Sequence, residues 1–411
     1  MSTVTATGVD ARPDTAAHKA LFASAIGYAM DGFDLLILGF MLRAISTDLG
    51  LTPAQAGSLI TWTLIGAVVG GIMFGVLADK YGRVRVLTWS ILLFAVFTGL
   101  CAFAQGYWDL LVYRTIAGLG LGGEFGIGMA LVAEAWPPAK RARACSYVAL
   151  GWQAGVLCAA LVTPWLLPTI GWRGMFLVGL VPGVVAFAVR WYVGEPQIFL
   201  DKAKTAAHRA AVLPLRLLMK DRETTKVSLG MLILCSVQNF GYYGVMIWMP
   251  SYLAKQFGFG LTQSALWTAV TILGMAVGIF VFGIFADRVG RRPALLTFQA
   301  GAFVSVLIYS QLTNETSLLF GGAIMGLFVN GMLGGYGALL AELYPTEARA
   351  TAENVLFNLG RGVGGFGPLV VGALVTGFGF PIAIALLAVI YLIDIVATLT
   401  LIPERKGAAL E

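Results

Sequence analysis

The chain has 411 residues, 58% of them hydrophobic and only 12% charged, with a formal net charge of +6. Soluble globular domains carry about 25% charged residues, so a soluble protein is excluded, and the mean hydropathy of +0.84 agrees. The basic residues lie between apolar stretches, so the positive charge reads as membrane topology and nucleic acid is not an expected partner.

Residues 1–19 are polar and lack the apolar core of a signal peptide. Apolar stretches of roughly 20 residues, long enough to cross a bilayer as helices, follow at 20–42, 56–78, 86–104, 108–131, 145–167, 173–193, 226–254, 264–285, 293–312, 318–341, 352–376 and 379–402. These twelve fall into two sets of six: a bundle over 20–193, a linker over 194–225, a second bundle over 226–402 and a tail over 403–411. Of the 27 Lys and Arg, only Arg43, Arg173 and Lys255 lie in outer loops if both termini are cytoplasmic, and Arg114 and Arg361 lie within spans. The remaining 22 are then cytoplasmic, as the positive-inside rule requires. The linker carries Lys202, Lys204, His208, Arg209, Arg216, Lys220 and Arg222 and is expected to be partly helical.

Span 1 holds Asp31 and Asp34, three apart and so on one helix face. After span 2 comes Gly75-Val-Leu-Ala-Asp79-Lys-Tyr-Gly82-Arg83. Span 4 runs from Arg114 through a glycine-rich stretch to Glu124, followed by Glu134-Ala-Trp-Pro137 and Arg141. After span 8 the loop signature returns as Gly283-Ile-Phe-Ala-Asp287-Arg-Val-Gly290-Arg291, and after span 10 comes Glu342-Leu-Tyr-Pro345 with Arg349. The offset from Asp79 to Asp287 is 208, and from Glu134 to Glu342 it is 208 again. Two independent motifs at one spacing mark a duplicated half, a common plan among secondary transporters. Glycine allows the tight turn in each loop. The charged residues Asp79, Arg83, Glu134, Arg141, Asp287, Arg291, Glu342 and Arg349 are expected to form a cytoplasmic gate that makes and breaks.

A charge at bilayer depth is expensive and normally faces a bundle interior or wet cavity. Asp31, Asp34, Arg114, Glu124, Arg361 and Asp394 meet that test. His18 and His208 lie outside the spans, so carboxylates are the natural proton carriers: Asp31, Asp34 and Glu124, with Arg114 as a shifting partner of Glu124. Arg361, within Gly360-Arg-Gly362-Val-Gly364-Gly365-Phe-Gly367-Pro368, offers a planar fork for a substrate carboxylate. The 208 offset sets Asp31 against Asn239 of span 7. Gln238, Asn239, Tyr242 and Tyr243 are therefore expected substrate contacts, with Trp152 and Gln153 of span 5 and Asn330 of span 10. Asp394 has no supporting pattern around it. Cys101, Cys145, Cys158 and Cys235 lie in or beside spans without paired spacing and read as packing residues, so no metal and no cofactor is expected beyond protons as the coupling ion.

The doubled Gly-Asp-Gly-Arg loop on twelve spans resembles the major facilitator superfamily, over about residues 20–402. The resemblance implies an all-α membrane fold of two pseudo-symmetric six-helix bundles around a central path, working by alternating access. Asp31-Gly-Phe-Asp34-Leu-Leu is similar to the first-span signature of aromatic acid/proton symporters and their sialate and lactate relatives. Arg114-Thr-Ile-Ala-Gly118-Leu-Gly120-Leu-Gly-Gly123-Glu124, with its Gly-Gly-Glu ending, is closer to the sialate/monocarboxylate group. The expectation is a proton-coupled symporter in the inner membrane, monomeric and not an enzyme, importing a small organic anion such as a lactate-like or aromatic acid. A sialate-like sugar-acid symporter and a drug/proton antiporter of the same fold are the alternatives. Span 5, Gly151-Trp-Gln-Ala-Gly155, lacks the Gly-Pro pair typical of the antiporters.

Overall fold

The computed structural model describes residues 15–181, 184, 188, 193–195, 199–200, 214–259 and 261–407. Among these the secondary structure is helical throughout, with no strand. The first half contributes α1 (Thr15–Leu49), α2 (Pro53–Tyr81), α3 (Arg83–Leu100), α4 (Tyr107–Ala135) and α5 (Arg141–Val178). A one-turn α6 (Pro214–Leu217) follows in the linker. The second half contributes α7 (Arg222–Phe257), α8 (Leu261–Val289), α9 (Arg291–Ser310), α10 (Glu315–Gly331) and α11 (Leu333–Leu343). It continues with α12 (Arg349–Gly364), α13 (Gly367–Phe378), α14 (Phe380–Leu387) and α15 (Val389–Leu401).

Ten helical segments among the described residues are long and apolar enough to cross a membrane, against twelve expected. Residues 182–183, 185–187 and 189–192 of the sixth expected span lie outside the described residues. So do 201–213 of the linker, with Lys202, Lys204, His208 and Arg209, and so do 1–14 and 408–411 of the tails. The eleventh span is not one continuous helix. It breaks between α12 and α13 at Gly365-Phe366, and Pro368 then opens α13. Consecutive glycines weaken a helix and a proline cannot continue one, so the break sits where the sequence is least helical. The tenth and twelfth expected spans are likewise each split, at Met332 and at Ala388. The chain also turns at Gly171 (φ 65), beyond which the sixth span begins.

Close helix contact is made through glycine and repeats in both halves. A Cβ at Gly66 or Gly70 of α2 would collide with the backbone of Thr115 or Leu119 of α4, and one at Gly274 or Gly278 of α8 would collide with Ala323 or Leu327 of α10. Gly274 and Gly278 are Gly66 and Gly70 shifted by 208. In a bilayer, where no hydrophobic force drives helices together, such close backbone approach is what holds them. Across the halves, α2 packs against α12 and α5 against α8.

The loop glycines Gly82 and Gly290 have φ of 108 and 116, a region essentially closed to side chains. Their turns are capped from afar. Glu195 accepts from the backbone amides of Arg83, Val84 and Arg85, and Glu404 from those of Arg291 and Arg292. Gly82→Ala and Gly290→Ala should each cost about 1–3 kcal/mol, read as a lower unfolding temperature in detergent. Alanine at the exposed, unstrained Gly377 should cost far less.

Candidate functional site

Two constellations emerge, an ionic network at the end of the bundle that carries the doubled loops (the basic end) and a cavity between the halves. In the first, Asp79 accepts hydrogen bonds from the amides of Ala350 (3.1 Å) and Thr351 (2.7 Å), the open N-terminus of α12 in the opposite half. Asp287 does the same for Ala142 (3.2 Å) and Arg143 (3.1 Å) at the N-terminus of α5. Arg83 joins Asp79 and Glu134, both at 3.1 Å, and Arg349 reaches Glu134 at 2.7 Å. The related set joins Arg291 to Asp287 (3.0 Å) and Glu342 (2.8 Å), with Arg141 on Glu342 at 3.0 Å. All eight expected gate residues are thus brought together, and the ion pairs Glu134–Arg349 and Arg141–Glu342 cross between halves. Burial makes them short and charge-assisted. The two halves are tied together at the basic end.

The cavity, a narrow one, is lined by Tyr28 of α1, Trp152 of α5, four residues of α7, Asn330 and Leu333, and Phe357 and Arg361 of α12. The α7 residues are Gln238, Asn239, Tyr242 and Tyr243. Arg361 is buried; its Nε donates to the Tyr243 hydroxyl at 3.2 Å and its guanidinium lies 4.9 Å from the centre of the Trp152 ring. Its Nη2 has no partner. The Trp152 indole N–H donates to the Tyr242 hydroxyl at 3.3 Å, which fixes the stacking face. Gln238 donates to Asn330 at 2.5 Å, leaving Gln238 Oε1 and Asn330 Nδ2 unsatisfied. Below, Phe125 of α4 stacks on Phe357 with ring centres 3.6 Å apart, an aromatic contact across the halves. Gln153 lies outside the cavity lining: its amide reaches Met275 Sδ (3.9 Å) on α8. It points to the neighbouring helix because Trp152, one position away, takes the cavity-facing direction.

The expected ion pair between Arg114 and Glu124 is not formed. Ten residues of helix separate them by about 15 Å of rise. Arg114 instead binds Asp34 at 2.9 Å. The two span 1 carboxyls therefore divide. Asp34 is tied to a cation, whereas Asp31 is fully buried with neither oxygen hydrogen-bonded. Asp31 feels Arg361 by attraction and Asp34 by repulsion. Glu124 faces Gly27 of α1, close enough that a Cβ there would meet its Oε2 at 2.8 Å, and it is repelled by Asp31. Removing one member of a buried pair typically costs about 3–5 kcal/mol. Asp34→Asn, which strands Arg114, should lower thermal stability by that order, whereas Asp31→Asn should leave stability unchanged or raise it. Asp394 is held by Gln299 (3.0 Å), which also donates to Thr398 (2.7 Å), away from the cavity lining.

The sequence reading missed Tyr28 and Phe357, which carry no charge to mark them, and the capping acids Glu195 and Glu404. A signal for the latter existed: each is an isolated acid beside a proline just after the last span of its half.

Comparison with known proteins identifies the family to which this fold belongs. The profile of the Major Facilitator Superfamily matches residues 24–272 and 231–410. A Haemophilus influenzae protein named for metabolite transport is 67% identical over 397 residues, covering 96% of this chain and 98% of its own. The Escherichia coli sialic acid transporter NanX is 30% identical over 366 residues, 88% of each chain. The cis,cis-muconate transport protein of Acinetobacter baylyi is 28% identical over 385 residues, 92% of each chain. The solved structure of the proton:xylose symporter XylE has the same fold, with a TM-score of 0.80 at 18% identity over 97% of this chain and 98% of that one. The chain is a multi-pass membrane transporter, not an enzyme, and belongs to the major facilitator superfamily.

Proposed function

We propose that this transporter imports a small organic anion together with protons by alternating access, with its basic end and both termini in the cytoplasm. The observation that carries the reading is Arg361: a buried guanidinium with a free Nη2 in a cavity of aromatic rings and amides. A carboxylate can take that N–H, and Gln238 and Asn330 each offer one unsatisfied polar atom beside it. The rings of Tyr28, Trp152, Tyr242 and Phe357 favour a flat, unsaturated or aromatic acid over a small aliphatic one. Relatives named for muconate and sialic acid both carry acids, and the sialate-like alternative rests on the second. A drug/proton antiporter is disfavoured, because a cationic drug would meet Arg361.

Coupling follows from charge. While Asp31 is ionised it draws the field of Arg361 and repels an incoming anion. A proton on Asp31, or on Glu124 behind it, removes that repulsion and leaves Arg361 for the substrate. Proton and anion then strengthen each other's binding by the same factor, as linkage requires.

Proteoliposomes with an imposed pH gradient test this with benzoate, muconate, lactate and sialate in turn. Acid outside should accelerate uptake of at least one of them by about tenfold or more, and Asp31→Asn should abolish the acceleration while keeping exchange. Carboxylate uptake that ignores the gradient would sink the reading.

A further inference from the structure

Glu353 is a fully buried acid at the ionic network that neither motif contains. It lies in α12 one turn beyond Arg349, fully buried, and neither carboxyl oxygen accepts a hydrogen bond. The charged groups facing it are Arg349 on its own helix, Glu134 from α4, Asp79 from the end of α2 and Arg83 from the start of α3. From α5 the thiol of Cys145 lies within its electrostatic reach. The amides of Ala350 and Thr351, which a carboxylate at this helix end would otherwise take, are occupied by Asp79.

Charge counting singles it out. Asp79 and Glu134 are balanced by Arg83 and Arg349. In the related network Asp287 and Glu342 are balanced by Arg291 and Arg141. The position related to Glu353 by the 208 offset is Cys145, so the duplication supplies a carboxyl on one side only. Glu353 is thus one acid in excess of these buried ion pairs. A buried carboxyl with no cation of its own and no hydrogen bonds to its oxygens keeps a proton and stays neutral.

We infer that Glu353 is a proton-binding site of the gate, protonated while the basic end is closed and ionised when α2 and α12 part and water reaches it. The proton is taken from and returned to the same side, so it adds nothing to transport stoichiometry. It makes closure depend on the pH at that side. The closed state binds one more proton than the open state, so rising pH favours opening, by about tenfold per pH unit over the range where Glu353 titrates. The inference is independent of the carried acid and of proton-driven uptake.

The test uses the full chain in lipid nanodiscs without substrate. Spin labels replace Lys80 and Arg288, exposed residues at the basic ends of α2 and α8 in opposite halves, with exposed Cys158 changed to serine. Asp31→Asn and Glu124→Gln are included so that neither carboxyl proposed to carry the transported proton titrates. Pulsed distance measurement should show the long-distance population growing about tenfold per pH unit in the Glu353 chain. The Glu353→Gln chain should hold the short distance throughout. A Glu353→Gln chain that keeps the pH response overturns the inference. Should that variant fail to fold, infrared difference spectra of the Glu353 chain decide instead. Raising pH should bleach a protonated-carboxyl stretch in step with opening, and no such band would equally overturn it.

Discussion

Arg361→Ala is expected to weaken binding of the carried acid by about 10- to 100-fold, the cost of one hydrogen bond between charged groups in a buried site. The loss should fall on the acid alone. The primary amide of the same compound keeps the ring contacts but has no charge for the guanidinium to meet, so its weak binding should change little. Arg361→Lys should recover only part of the affinity. Lysine keeps the positive charge but cannot hold Tyr243 with one edge, stack on Trp152 and present a second N–H in the same plane. Quenching of Trp152 fluorescence, with the remaining tryptophans replaced, gives the affinities directly. An Arg361→Ala carrier with native affinity for its acid would remove the anchor from the mechanism.

Glu134→Gln should have the other large effect, on conformation instead of binding. Glu134 Oε1 receives both Arg83 and Arg349, so neutralising it leaves two buried guanidiniums short of a partner. Breaking a buried pair costs about 3–5 kcal/mol, a shift of at least a hundredfold in an equilibrium that can relieve it by admitting water. Parting of the basic end provides that relief. The distance between labels at Lys80 and Arg288 should therefore lengthen in most molecules, and net uptake should slow because the closed state is rarely regained. Glu342→Gln, its partner under the 208 offset, should do the same through Arg291 and Arg141. Closed-state distances in both variants would mean that the network is a static staple.

These two residues also show how far the chain can be read without coordinates. Arg361 stands out because an arginine among glycines inside an apolar span has few uses that do not involve a cavity. Glu134 stands out through its repeat at Glu342. Neither argument says what each side chain touches. Helical spacing placed Asp31 and Asp34 on one face, and they do share it, yet Arg114 reaches only Asp34 and leaves Asp31 free. Trp152 and Gln153 are neighbours in sequence, but only Trp152 lines the cavity, because adjacent helical positions point about a quarter-turn apart. Tyr28 and Phe357 were invisible for the opposite reason: an aromatic residue in an apolar span looks like packing until the opposing helix is known.

Sequence alone determined that this chain lives in a membrane, that it is built twice at an offset of 208, and which ionisable residues must hide inside it. These follow from hydropathy, repetition and the cost of buried charge, which need no partner to evaluate. Only the tertiary structure decided the partners. Folding the second half against the first delivers Asp79 to α12 and Asp287 to α5, carries Arg349 to Glu134 and Arg141 to Glu342, and leaves Glu353 without a cation of its own. A contact between positions 145 to 271 residues apart is set by how two surfaces dock, and no local pattern in either surface records it.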